Sequence, residues 1–243
     1  MAVGSDGRWR CPCHCSRAES VHAVGMKLSR YLALWAMTVV LAVPLFAAEP
    51  MNLSTAKRAV IRYADSGEYE RDAAVIAGYA IDWITARVER KRKDEKLAIV
   101  LDIDETALTN LAHMKEMDFG YIPDLWAEWV ANHHAPAFEP VLAIHRQARR
   151  LGVDVFFITG RVETDRLGTE RNLRASGYGD YVQLYLKPND SKESTEVFKT
   201  ATRKKIGSEG WTIIANIGDQ QSDLDGGASE RTFKLPNPFY LIQ

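Results

Sequence analysis

The chain contains four short apolar runs, which predict buried β-strands. They span residues 97–103, 153–158, 181–186 and 211–217. Continuous apolar runs of this length are typical of strands that are buried on both faces of a parallel sheet. Helical patterns lie between them, for example at residues 140–151 and 164–176. Strands that alternate with helices predict an α/β fold, with a parallel β-sheet flanked by helices.

The segments around the first strand predict additional helices and a cap. Residues 53–93 carry apolar positions at helical spacing, and Ser66-Gly67 predicts a break into two helices. Residues 107–139 are too long and too rich in aromatic residues for a single crossover helix. Because ligands of open α/β sheets bind at the carboxyl ends of strands, we expect residues 107–139, together with the helices of 53–93, to form a small helical cap.

The N-terminal region has the pattern of a targeting segment. A basic stretch at residues 26–30 precedes an uncharged run and Ala47-Ala48, as in a secretory signal peptide. The apolar run is shorter than the roughly 18 to 20 residues of a membrane span. Phe46 fits a cut after Ala48 poorly, so a retained membrane anchor stays open. We expect residues 26–48 to be a signal peptide, residues 1–25 an upstream extension and residues 49–243 the folded α/β domain. We expect the protein to be periplasmic or secreted.

Composition narrows the class of protein. Hydrophobic residues make up 46% of the chain and charged residues 26%, as in a globular protein. The formal net charge of −1 argues against a nucleic-acid polymer as partner. Residues 49–243 alone carry 26 basic and 30 acidic residues, a net charge of −4, and no cysteine. This part can therefore live in an oxidising compartment without disulfides, whereas a homo-oligomer is left open.

Two carboxylates follow the first apolar run immediately. Asp102 and Asp104 stand two residues apart in the sequence DIDET, so both can face one site as the chain leaves the sheet. Taken alone, such a pair is also typical of a solvated turn. Aspartate is ionised at neutral pH, and carboxylate nucleophiles form covalent aspartyl-phosphates. The pair therefore predicts phosphoryl transfer, in which one carboxylate attacks and the other protonates the leaving group.

A second acidic pair follows the fourth apolar run. Asp219 and Asp223 stand in the sequence GDQQSD, again at the end of a predicted buried strand. Four carboxylates at the same edge of the sheet repel each other strongly unless they bind a hard cation. Mg²⁺ prefers oxygen ligands and takes one or two carboxylates together with a substrate phosphate. We therefore predict a Mg²⁺ site, with Asp102, Asp104, Asp219 and Asp223 as candidate ligands.

The second strand and a lysine supply the predicted contacts to phosphate. Thr159-Gly160-Arg161 offers a hydroxyl and backbone N–H groups, which we interpret as an anion site at the start of a helix. Arg161 either binds substrate or pairs with a carboxylate to fix the loop. A lysine would offset the charge of the phosphate and of Asp102, and Lys187 and Lys199 are both candidates.

The motifs DIDET, ITGR and GDQQSD, in this order, resemble the haloacid-dehalogenase-like superfamily. Further stretches, such as YADSGEYERD and RTFKLPNPFY, resemble its acid phosphatase branch, which includes plant vegetative storage proteins and bacterial exported class B-type acid phosphatases. The resemblance implies a Rossmann-type sheet with a small helical cap. It also implies a Mg²⁺-dependent hydrolase of small phosphate monoesters that works through an aspartyl-phosphate. We expect an acidic to neutral pH optimum, because the acid must start protonated.

The resemblance also implies a role for each candidate residue. Asp102 would be the nucleophile and a metal ligand, and Asp104 the general acid, then the base, with its carbonyl on the metal. Lys199 is favoured over Lys187, because FKTATR resembles the lysine motif of the family. The remaining implied contacts are to phosphoryl oxygens or to the metal: Thr159, Gly160, Asp219 and Asp223.

Several alternatives and structural interpretations stay open beside this hypothesis. A weakly active storage or binding protein could share the fold, and so could a nucleotidase or phosphotransferase. We expect Trp126 and Trp129, three apart on one helical face, to pack into the core, with stacking on a substrate as the alternative. Residues 234–240, with two prolines, are expected to seal the sheet edge or core and to take no part in the chemistry.

Overall fold

The structure is a computed structural model that describes residues 49–132 and 134–242. The predicted extension of residues 1–25 and the predicted signal peptide of residues 26–48 lie outside the described residues. Every described helix and strand lies in one unit, Asn52–Gln243. Among these helices, none is long and apolar enough to cross a membrane.

In the described part of the chain, five parallel strands form one sheet in the order β3-β2-β1-β4-β5. The strands are β1 (Lys96–Leu101), β2 (Asp154–Val162), β3 (Gln183–Lys187), β4 (Trp211–Gly218) and β5 (Thr232–Lys234). The first four coincide with the four apolar runs, which confirms the predicted parallel α/β fold. Strand β5 is not predicted, because it has only three residues and only Phe233 among them is buried.

The strand order places the two acidic motifs side by side. Strand β1 lies at the centre, with Leu101 paired to Phe157 of β2 on one side and to Ile217 of β4 on the other. The N–H of Asp102 donates to the carbonyl of Ile217 at 3.0 Å, which continues this pairing one residue past the strand. The chain order reverses between β1 and β4, and such a switch point is where α/β sheets bind ligands.

Helices cover both faces of the sheet, and two of them lie in residues 107–139, the predicted cap segment. They are α1 (Leu53–Asp65), α2 (Glu68–Glu89), α3 (Leu111–Glu116), α4 (Pro123–Asn132), α5 (Glu139–Arg150), α6 (Arg166–Ala175), α7 (Thr195–Ser208) and α8 (Gln221–Leu224). The side chain of Asn52 caps α1. The predicted break between α1 and α2 is present at Gly67, whose φ of 74° lies in the left-handed region that glycine tolerates best.

Two apolar clusters form the core on opposite faces of the sheet. The larger includes Ala73 and Ile84 of α2, Ile144 of α5 and Ile99 of β1. The smaller packs Ile206 of α7 against the other face of the sheet. Strands buried in this way on both faces explain why their sequences read as unbroken apolar runs rather than as alternating patterns.

Residues 107–139, predicted to form a cap, contain α3 and α4. Helix α4 packs closely on α6, because a Cβ atom at Gly168 would lie only 2.4 Å from the carbonyl oxygen of Val130. An ion pair of 2.6 Å between Lys57 of α1 and Asp118 ties the first helix to this segment. The cap segment is therefore anchored on both sides by the elements around it.

Candidate active site

A buried cluster of charged side chains lies at the carboxyl ends of β1 and β4. Its members are Asp102, Asp219, Asp223 and Lys199, each less than one-tenth exposed. Nζ of Lys199, from α7, donates to Oδ1 of Asp102 and, at 2.7 Å, to Oδ1 of Asp223. Burial alone would lower the pKa of Lys199, but these two carboxylates raise it above its usual value. The lysine is therefore held as an ammonium ion.

Tight local packing holds Asp223 in this cluster. A Cβ atom at Gly218 would lie 2.4 Å from Cβ of Asp223, so only glycine lets α8 fold against the end of β4. Oδ2 of Asp223 accepts the N–H of Gln220 at 2.8 Å. Its carbonyl accepts from Asn216 at 2.9 Å and from Arg203 at 2.6 Å. The position of Asp223 is thus fixed through both its side chain and its backbone.

Three neutral side chains hold Asp219 in place. Its carboxylate accepts hydrogen bonds from Thr106 at 2.9 Å, Gln220 at 2.7 Å and Asn237 at 2.6 Å. Burial raises the pKa of Asp219, nearby Asp223 raises it further, and these hydrogen bonds oppose the increase. Residues 234–240, predicted to seal the sheet edge or core, also reach the site, because Asn237 contacts this carboxylate directly.

The cluster suits a divalent cation. Asp102, Asp219 and Asp223 each offer an oxygen, and these three atoms lie within 4.8 Å of one another. Burial raises the pKa of Asp102 well above its usual range, Lys199 lowers it, and the neighbouring carboxylates raise it again. Three buried carboxylates exceed the charge of one ammonium, so a hard cation with oxygen ligands would relieve their repulsion. The side chain of Asp104 is not among these three.

Asp104 instead faces Arg161. Nη2 of Arg161 donates to Oδ1 of Asp104 at 2.6 Å, and Nε donates to Oδ2 at 3.1 Å. The guanidinium also donates to Thr169 at 3.0 Å and lies 5.4 Å from the ring centre of Trp126. Of the two interpretations of Arg161, the structure shows the pairing with a carboxylate.

The Thr159-Gly160-Arg161 segment continues β2 rather than starting a helix. Helix α6 begins only at Arg166, after a turn of 3-10 helix, so the predicted placement of these residues at a helix start is wrong. Their contact with phosphate stays a prediction. Thr159 is fully buried, and its Oγ1 accepts the N–H of Arg161 at 3.1 Å. Gly160 is exposed and borders the cavity described next.

A cavity of about 410 Å³ opens over the cluster. Its floor includes Asp102, Asp104, Lys199 and Asp219. Its lining also includes several aromatic side chains: His113, Phe119, Tyr121, Trp126, Phe239 and Tyr240. The prediction that Trp126 packs into the core is wrong, because its ring borders the cavity, whereas Trp129 packs against the larger core cluster.

Residues 23–243 match the family described as HAD superfamily, subfamily IIIB (acid phosphatase). The chain belongs to this family. Acid phosphatase 1 of Solanum lycopersicum is 35% identical to it over 210 residues, which is 81% of each chain. The stem 28 kDa glycoprotein of Glycine max is 39% identical over 155 residues, and the chain spans 61% of its length. The predicted resemblance and the predicted enzyme class, a phosphomonoesterase, are thereby confirmed.

A solved structure shows the same fold. The class C acid phosphatase of Bacillus anthracis superposes with a TM-score of 0.64 and 23% identity, covering 77% of this chain and 84% of that one. The predicted α/β fold of the acid phosphatase family is therefore present in this chain.

Of the two candidate lysines in this acid phosphatase, Lys199 lies at the site. Nζ of Lys187, at the end of β3, donates instead to the carbonyl of Glu193 at 2.6 Å. The structure also gathers Asp102, Asp219 and Asp223 into one cluster, and Asp104 and Gly160 border the same cavity.

The sequence does not predict the hydrogen-bond network around Glu105. Glu105 has a φ of 54°, and its carboxylate accepts from the N–H of Asn110 at 2.6 Å and the hydroxyl of Tyr240 at 3.0 Å. Burial, followed by the charge of Asp104, raises the pKa of Glu105 to about 8. Glu105 lies within the DIDET motif, but single residues such as Asn110 and Tyr240 carry no pattern of their own.

Proposed function

We propose that this chain is an exported, Mg²⁺-dependent acid phosphatase that hydrolyses small phosphate monoesters through an aspartyl-phosphate at Asp102. One observation carries the proposal. The buried carboxylates of Asp102, Asp219 and Asp223 cluster at the floor of a cavity, where β1 and β4 end side by side, and Lys199 contacts the first and the last of them. Family membership supports a small phosphorylated substrate.

In the first step, a carboxylate oxygen of Asp102 attacks phosphorus. Lys199 contacts Oδ1, so Oδ2 is the oxygen of Asp102 that attacks. The bond between phosphorus and the ester oxygen breaks, and its electron pair leaves with that oxygen. Asp104 supplies the proton that the departing alcohol needs, and Asp102 becomes an aspartyl-phosphate.

In the second step, water attacks the phosphorus of the aspartyl-phosphate. Asp104 takes a proton from this water, inorganic phosphate leaves, and the Asp102 carboxylate is restored. Arg161 keeps Asp104 at the cavity throughout, through its two hydrogen bonds.

The residues that would hold Mg²⁺ are Asp102, the carbonyl of Asp104 and Asp219, with Asp223 nearby. A bound cation supplies charge that polarises the phosphoryl oxygens and offsets repulsion between phosphate and Asp102. Lys199 contributes a second fixed positive charge at the same carboxylate. Positioning and electrostatics of this kind account for most of the catalysis of phosphoryl transfer.

The decisive experiment is hydrolysis of p-nitrophenyl phosphate by the Asp102→Asn variant. We expect kcat to fall on the order of 10³-fold or more, because the amide cannot attack phosphorus. Asp82→Asn, which alters an exposed aspartate of α2, is the matched control and should leave kcat unchanged. Full activity in Asp102→Asn would overturn the assignment of the nucleophile.

Metal dependence separates this proposal from the storage alternative. We expect EDTA to abolish turnover and added Mg²⁺ to restore it, with covalent phosphate trapped on Asp102 by acid quench. A storage protein would show almost no turnover with or without Mg²⁺. Export is tested separately, by the N-terminal sequence of the mature protein, which we expect to begin at Glu49.

A further inference from the structure

Asn110 is a fully buried residue that joins three parts of the site. It lies just before α3, and its exposed fraction is 0%. Its Nδ2 donates to Oδ1 of Asp104 at 2.9 Å and to Oε2 of Glu105 at 3.2 Å. Its Oδ1 accepts the indole N–H of Trp129, from α4, at 2.8 Å. Nothing in the sequence patterns marks this asparagine.

The orientation of the Asn110 amide follows from its partners. An indole N–H can only donate, so the atom that faces Trp129 must be the amide oxygen. The two N–H donors of Nδ2 must then face Asp104 and Glu105. In this one orientation, both Nδ2 and Oδ1 of the buried amide have hydrogen-bond partners.

The same contact assigns different roles to the two oxygens of Asp104. Oδ1 accepts from Arg161 at 2.6 Å and from Asn110 at 2.9 Å. Among the described residues, Oδ2 has one longer contact, to Nε of Arg161 at 3.1 Å. Oδ2 is therefore the oxygen with room to carry a proton to a leaving group.

We propose that Asn110 is a positioning residue, which holds Asp104 so that Oδ2 delivers its proton to the leaving oxygen and which links this carboxylate to the cap helix α4 through Trp129. This inference rests on the proposed phosphatase function. Arg161 alone contacts Asp104 from one side. Asn110 adds a hydrogen bond from a second side and, because it is neutral, adds no charge that would compete for the proton.

A purely structural role for Asn110 predicts a different result from the positioning role. Asn110 also bonds to Glu105, whose φ of 54° is sparsely populated, so its loss could loosen the loop without touching proton transfer. General loosening lowers the rate for every substrate alike. Misplacing a general acid instead slows the esters of poor leaving groups most, because those departing oxygens need the proton.

The test is the leaving-group dependence of kcat/KM in the Asn110→Ala variant. We expect a loss of about 10- to 100-fold for an alkyl phosphate and of less than about threefold for p-nitrophenyl phosphate. Asn172→Ala is the matched control, because Asn172 is equally buried but bonds to the backbone N–H of Ala135 at 3.2 Å. It should change the two rates by the same factor.

Trp129→Phe gives a second measurement, which decides the question if Asn110→Ala does not fold. It removes only the indole donor, and we expect a preferential loss of about fivefold on the alkyl phosphate. Trp211→Phe is its control, because that indole donates to Asp154 at 2.9 Å, at the start of β2.

Equal losses on both esters, or a Trp129→Phe variant that matches Trp211→Phe, would overturn the role of Asn110. Wild-type protein that hydrolyses neither ester would overturn the proposed function itself. The two failures are distinguishable, because the first requires an active wild-type enzyme and the second excludes one.

Discussion

Nζ of Lys199 donates to Oδ1 of Asp102, although the two residues are 97 positions apart in the chain. The contact joins α7 to the end of β1 and places an ammonium ion beside the proposed nucleophile. Both side chains are nearly inaccessible to solvent, so each depends on the other for compensation of its charge. This pair connects the stability of the fold with the chemistry of the site.

The Lys199→Met variant should lose both activity and stability. Removing one partner of a buried ion pair leaves an uncompensated charge and costs about 3–5 kcal/mol of unfolding free energy. We expect kcat to fall on the order of 10²-fold or more, as when other electrostatic contacts to the transition state are removed. Urea unfolding and p-nitrophenyl phosphate hydrolysis measure the two effects. In Lys187→Met, whose lysine lies away from the site, both should stay near wild type; a similar loss there would contradict the assignment of Lys199.

The Gly218→Ala variant should disturb the site by shifting the backbone that carries Asp223. Its new Cβ would meet Cβ of Asp223 at 2.4 Å, so α8 must move away from β4 and take a candidate metal ligand with it. We expect weaker activation by Mg²⁺, measured as a rise in the concentration for half-maximal turnover of about tenfold or more. Gly207→Ala is the control, because no atom lies within 4 Å of its Cβ position. An unchanged Mg²⁺ requirement in Gly218→Ala would count against this part of the site.

The ion pair between Arg87 and Glu95 should make stability depend on pH in the acidic range. Hydrogen bonds from Arg87, and then from the N–H of Arg92, lower the pKa of Glu95 from 4.5 to about 2. A pKa lowered by folding adds stability that is fully present above 4.5 and is lost as the pH falls towards 2. Glu95→Gln should therefore be less stable than wild type in urea at pH 6, and this difference should shrink steadily towards pH 2. A difference that is constant with pH would rule out the pair as its source.

His145 should contribute a second pH dependence at higher pH. Burial lowers the pKa of His145 from 6.5, and its Nε2 lies 3.0 Å from the carbonyl oxygen of Asp180. Because the folded state disfavours the protonated ring, stability is full above pH 6.5 and falls as the pH drops below it. In His145→Phe this decline between pH 7 and 5 should be absent from thermal unfolding curves. A wild-type curve that is flat over the same range would show that the ring is not disfavoured when charged.

The sequence predicts the sheet and the acidic floor of the site for the same physical reason. Strands buried on both faces read as apolar runs, and parallel strands bring their carboxyl ends to one edge, so Asp102 and Asp219 are expected to meet. Strand β2 is different. It continues to Val162, which pairs with Lys187 after a shift in register, and no apolar residue at Thr159 or Gly160 signals this extension.

The surrounding polar contacts could not be predicted, because they depend on distances between separate elements. Asn237 reaches Asp219 only because the chain continues along β4 past the end of β5, where the N–H of Leu235 donates to the carbonyl of Gly218. Asn110 meets Trp129 only because α4 lies beside the residue that precedes α3. The sequence pattern around a single asparagine does not show whether its side chain faces water or a carboxylate.

The segment after β5 joins several parts of the site. Within residues 235–242, Asn237 donates to Asp219, the hydroxyl of Tyr240 donates to Glu105, and the N–H of Ile242 donates to Gln220. A cut in the backbone between β5 and Asn237 would therefore release three hydrogen bonds of the site at once, without altering any aspartate.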